Sequence, residues 1–122
     1  DLEYIVRVLK KYKIAYVDEF LVEKFHDIRT VNLSFAQSVE RENAFRSKFV
    51  HYLEELPLKS QKEIKIMWDI DWIRTMFDKH MYGEMLKTMA KSKIPFKVWI
   101  SYVKYIIERK KNNLSYGFVV KL

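Results

Sequence analysis

The side chains that could do acid–base or metal chemistry in this chain are few and scattered. Asp69 and Asp71 in "WDIDW" form its most suggestive carboxylate pair. On a helix, positions two apart point about 200° away from each other, so these two acids cannot share a proton or a metal. They read instead as helix surface, or with Asp71 paired to Arg74 or Lys79. His26, His51 and His80 have no His or Cys at three or four residues' distance, so the local spacing of metal ligands is missing. Cysteine is absent, which removes disulfides, thiolate catalysis and Cys-ligated zinc. No glycine-rich phosphate loop and no Ser, His and acid signature occurs. We assign no catalytic residue, no metal ligand and no cofactor, and expect a non-enzymatic protein.

The chemistry that does stand out is charge. The formal net charge is +7 over 122 residues. Residues 1–30 carry six cations and six anions, residues 31–60 four of each, and residues 61–90 five of each. Residues 91–122 carry eight cations and one anion, Glu108, so the whole excess lies in the last quarter of the chain. Such a basic end attracts carboxylates, phosphates or anionic lipid.

The elements that must position this charge read as helices. Two Gly and two Pro are too few turn residues for a strand-rich fold, and apolar residues recur at spacings of three and four. Leu2, Ile5, Val6, Leu9 and Tyr12 mark a first amphipathic helix, and Val17, Phe20, Leu21, Phe25 and Ile28 a second, giving an N-terminal helical hairpin over residues 1–30. "SFAQ" from Ser34 is a capping box that opens a helix over about residues 35–56, ended by Pro57. Ser60 and Glu63 repeat that spacing before "IKIMWDIDWIRTMF", whose apolar residues surround the helix and predict the most buried element. Gly83 is where its continuation would bend, and Pro95 suits the start of a last helix. The expected fold is all-α, a compact bundle of about four to five helices in a single domain over 1–122. Residues 33–90 form its centre, and 91–122 its basic C-terminal helix and tail. Phe118, Val119 and Val120 would either dock on the bundle or pair as a short strand.

Winding residues 96–111 at about 100° per residue places Phe96, Trp99, Ile100, Val103, Ile106 and Ile107 on one face, read as the core face. Lys97, Lys104, Glu108 and Lys111 gather opposite, with Val98, Tyr102, Tyr105 and Arg109 between. The expected structural core includes Trp68, Phe77, Trp99 and Val103. The expected partner-binding residues are Lys93, Lys97, Tyr102, Lys104, Tyr105, Arg109, Lys110 and Lys111. Such a surface suits an acidic protein segment, with the tyrosines supplying the apolar part of the contact. It also suits nucleic acid, as in an accessory factor of a phage or replication system, with the cations on phosphates and Tyr102 or Tyr105 stacked on bases. A helix-turn-helix over residues 13–40 is disfavoured, because its second helix, "SFAQSVERENAF", carries few cations and residues 1–60 are neutral.

"NLS" at 32–34, "YLEELPLKSQKEIKIMW" at 52–68, "MFDKHMYGEMLKTMAKSKIP" at 76–95 and the following Trp99 together resemble the PHIST domain, the RESA N-terminal (PRESAN) domain, of exported malaria-parasite proteins. The resemblance covers about half the chain and places Trp68, Phe77, Pro95 and Trp99 at matching positions, while "QSVEREN" and the first 30 residues have no counterpart. It implies a helical, non-enzymatic adaptor exported into the host red cell, similar to relatives that bind acidic cytoplasmic tails of adhesins or membrane-skeleton proteins.

No apolar run approaches the roughly 18–20 residues that span a bilayer, and residues 1–20 lack the pattern of a signal peptide, so a soluble protein is expected. The first residue is Asp, as expected of a domain excised from a longer chain.

Overall fold

The computed structural model describes residues 2–13, 33–113 and 117–122, and it is all-α. The chain divides into two compact units, Asp1–Asn32 and Leu33–Leu122. In the first unit the described element is α1, Leu2–Lys11, with Ile5 and Leu9 exposed on its apolar side and Lys10 and Lys11 in its last turn. The expected second helix of the hairpin lies outside the described residues.

The second unit holds α2 (Phe35–Glu54), α3 (Leu58–Asp78), α4 (Tyr82–Lys91) and α5 (Phe96–Asn112). Helix α2 starts with the expected capping box. The Gln37 backbone N–H donates to Ser34 Oγ at 3.2 Å, and the Ser34 N–H donates to Gln37 Oε1 at 2.9 Å. Two of the orphan donors of the first turn are thereby satisfied. After Glu55–Pro57 the chain turns back, with Gln61 Nε2 donating to the Leu56 carbonyl at 2.8 Å. The expected cap at Ser60 is displaced: Pro57 occupies the N-cap and α3 begins at Leu58. Proline's fixed φ and missing N–H fit the start of a helix, so the residue that stops α2 also launches α3.

Helix α3 is the centre of this unit. Ile70, Ile73 and Met76 are buried, and Ile70 and Met76 are among the most enclosed side chains described. Toward α2, Phe45 meets Trp68 edge-on with centroids 5.5 Å apart, and Phe35 stacks on Trp72 at 6.0 Å. Toward α4, Thr88 Oγ1 lies 3.8 Å from Met76 Sδ. The break expected at Gly83 comes earlier: α3 ends at Asp78 with Lys79 as its C-cap, and His80 beyond it takes a left-handed φ of 59°. His80 Nδ1 lies 2.9 Å from the Tyr82 hydroxyl, a local contact that supports an otherwise unfavourable conformation. Gly83 sits inside α4 with open space around it.

The last turn of α5 passes into Asn113, also left-handed at φ 48°, which caps the helix. The tail then docks rather than pairing, and no strand occurs among the described residues. Its side chains alternate, with Phe118, Val120 and Leu122 turned inward and Val119 and Lys121 exposed. Val120 is buried in one cluster with Ile70 of α3 and Val98 of α5. The Leu122 N–H donates to Glu63 Oε1 at 2.8 Å, which ties the tail to the start of α3.

Candidate partner-binding surface on the last helix

The rotation of α5 about its own axis differs from the expected one. Val98 and Tyr105 are buried and Tyr102 is half-buried. The residues expected to form the core face point out: Phe96 is 78% exposed, Ile100 44%, Val103 55% and Ile107 60%. Trp99 and Ile106 lie between the two sides. Val103 therefore does not belong to the core. Nor does Phe77, which is 56% exposed near the end of α3 and touches Tyr82 edge-on at 5.8 Å. Trp68 and Trp99 are both half-buried, Trp68 against Phe45 of α2 and Trp99 against the Ile70, Val98 and Val120 cluster.

The physical reason lies in the tail. Phe118 lies edge-on to Tyr102 with centroids 5.1 Å apart and tilted on Tyr105 at 5.5 Å, while the two tyrosine rings stack at 6.4 Å. Three aromatic rings joined this way bury more area than branched aliphatics and gain from ring geometry as well, so the tyrosine side of α5 turns inward. Burial, the largest influence on the Tyr102 hydroxyl, pushes its pKa above the ordinary value, against the lowering effect of Arg74. Tyr105 is thus withdrawn from the surface, whereas half-buried Tyr102 borders a small groove that Arg74 and Arg109 also line.

Lys93, Lys97, Lys104, Arg109, Lys110 and Lys111 are all exposed. Ion pairs among the described residues lie elsewhere, at Glu42 and Asp69 with Arg46, Arg74 with Asp78, and Lys87 with Glu84. At 100° per residue, Lys97, Lys104 and Lys111 lie not opposite Phe96, Ile100, Val103 and Ile107, as expected, but immediately beside them as a rail, and the side opposite the stripe is that of buried Val98 and Tyr105. The surface thus combines an outward apolar stripe with a row of lysines. The apolar stripe was legible as a set of residues, but composition had assigned it to the interior.

The carboxylates do not converge. Asp69 accepts from Arg46 Nη1 at 2.8 Å, and Arg46 Nε donates to Glu42 Oε1 at 2.6 Å, so one guanidinium joins α2 to α3. Burial acts on Arg46 most strongly and lowers its pKa, yet its bonds to Asp69 and Glu42 leave it net raised and firmly cationic. These groups border a groove of about 390 Å³ between α2, α3 and α4, in which charge is already compensated. Asp71 points elsewhere. Burial raises its pKa above the usual carboxylate value, while Arg74 pulls it down. Lys79, the other candidate partner of Asp71, donates to the Leu33 carbonyl at 2.5 Å. No cluster of three or more His, Cys, Asp or Glu that would hold a metal occurs among the described residues. No described helix is long and apolar enough to cross a membrane.

Comparisons with protein-family models, with curated proteins and with solved structures find no match to this chain.

Proposed function

We propose that this protein is a non-enzymatic helical interaction module whose α5 docks an acidic segment of a partner protein. The observation that carries this reading is the outward side of α5, where exposed Phe96, Ile100, Val103 and Ile107 run alongside exposed Lys97, Lys104 and Lys111. Contiguous exposed apolar surface rimmed by charge is the usual mark of a protein contact. The sign of the rim selects carboxylates, since every excess positive charge of the chain lies after residue 90. Relative to the surface expected from sequence, the lysines keep their role and the apolar contact passes from Tyr102 and Tyr105 to the aliphatic stripe. An adaptor exported into a host cell, as the PHIST resemblance implies, would use such a surface.

Binding of acidic and neutral peptides to the chain, measured by fluorescence anisotropy at two salt concentrations, tests the proposal. Acidic peptides are expected to bind, more weakly at high salt, and Lys97→Glu with Lys104→Glu to lower affinity at least about tenfold, as loss of about 1.4 kcal/mol would. Capture of labelled DNA or RNA in place of acidic peptide, with a salt slope of about −0.9 per phosphate neutralised on duplex DNA, would assign the cations to nucleic acid instead.

A further inference from the structure

The four outward apolar residues of α5 have a definite order. Phe96, Ile100, Val103 and Ile107 follow one another at steps of four, three and four, the alternation of d and a positions along a helix that packs against another helix. In that register Lys97, Lys104 and Lys111 each occupy the e position, seven residues apart. The opposite flank, g, carries Trp99 and Ile106, both half-buried, Trp99 against the Ile70, Val98 and Val120 cluster. Only one flank of the seam is therefore both charged and open. Resting on the reading that α5 takes an acidic segment, we infer that the segment binds as an α-helix, with its apolar a and d residues on this seam and Glu or Asp facing the lysine rail.

An extended segment would not use this surface well. Its side chains alternate between two faces with a repeat of about 6.8 Å, whereas the stripe on α5 rises by about 4.5 and 6 Å in turn. A helix matches both steps at once. The four anchors span about 17 Å, so three turns of partner helix cover them. A second copy of the chain is a poor occupant, because antiparallel seams would oppose lysine to lysine, and either orientation would bring two ends carrying the whole charge excess together.

The test uses the full chain and two synthetic peptides of identical composition. One has about three heptads with Leu at a and d and Glu at e and g. The other is a shuffled sequence without heptad order. The heptad peptide is expected to bind at least about tenfold more tightly and to gain helical circular dichroism on binding. Ile100→Ser with Val103→Ser should reduce that affinity by about tenfold or more, while the denaturation midpoint of the free chain stays close to wild type because both sites are exposed. Equal affinity for the two peptides, lost on Lys97→Glu but not on Val103→Ser, overturns the helix inference and leaves the acidic-segment reading standing. Binding of neither peptide overturns both. Self-association of the free chain that Val103→Ser abolishes would give the seam to a second copy, and protection of the seam in the free monomer would give it to another part of the same chain. Either result overturns the inference.

Discussion

Helices α3 and α5 are both rich in large apolar residues around much of their circumference, yet the structure treats them differently. Helix α3 meets α2 through Trp68 and Trp72, α4 through Met76, and the α5 and tail cluster through Ile66, Met67 and Ile70. Helix α5 packs inward through Val98, Tyr102 and Tyr105, and its other apolar side faces solvent. Apolar composition all round a helix thus has two physical outcomes. Where neighbours exist on several sides it makes a central helix, and where they exist on one side it leaves a surface for something else.

The sharpest way to break this comparison is to truncate apolar side chains to Ala on each of the two helices. Ile70→Ala and Met76→Ala each leave a cavity in an enclosed site and are expected to cost about 2–5 kcal/mol. Val103→Ala removes a side chain already in water and is expected to stay within about 0.5 kcal/mol of wild type. Urea denaturation midpoints of the three variants check this ordering. A loss at Val103 as large as that at Ile70 would mean that the outer side of α5 is covered in solution.

The same contrast explains what could be read from the sequence. The helices of the second unit, the capping box at Ser34 and the centrality of α3 were legible because they depend on local spacing and on periodicity. The rotation of α5 was not, because it is fixed by a long-range partner. Phe118 reaches Tyr102 and Tyr105 from the tail, and nothing in the sequence between 96 and 111 announces that contact. With aliphatics on one side and tyrosines on the other, hydropathy favours the aliphatics for the interior, whereas the ring cluster favours the tyrosines. The break at His80 was hidden for a related reason: Gly83 looked like the flexible site, but a histidine supported by Tyr82 adopts the left-handed backbone. The signal that could have pointed to the outer seam was its four, three, four spacing beside lysines at every seventh residue. The lysines themselves were read correctly as exposed, since charge follows solvent regardless of which apolar side turns in.

If the tail sets the rotation of α5, removing its ring should blur the difference between the two sides of that helix. Phe118→Ala is expected to cost about 2–3 kcal/mol, less than a fully enclosed Phe because this ring is half-buried. It should also make Tyr102 and Tyr105 more accessible to a collisional quencher. Unchanged tyrosine accessibility together with unchanged stability would show that the helix holds its orientation without the tail.

The smallest effect expected at neutral pH, and the most specific to the inner side of α5, is that of Tyr102→Phe. The ring remains to pack on Phe118, so stability near pH 7 should change little. The difference appears in alkali. Burial holds the Tyr102 hydroxyl above its ordinary pKa of 10.0, so above about pH 10 the folded state retains a proton that the unfolded chain gives up. A group of this kind contributes stability that is fully present below the unfolded value and is lost as pH rises through the folded one. The wild-type chain should therefore lose stability with rising pH over that window more steeply than Tyr102→Phe, as read by denaturation midpoints at pH 8 and pH 10.5. Coincident profiles would mean that the hydroxyl is fully hydrated, and that the inner and outer sides of α5 differ less in solution than their packing implies.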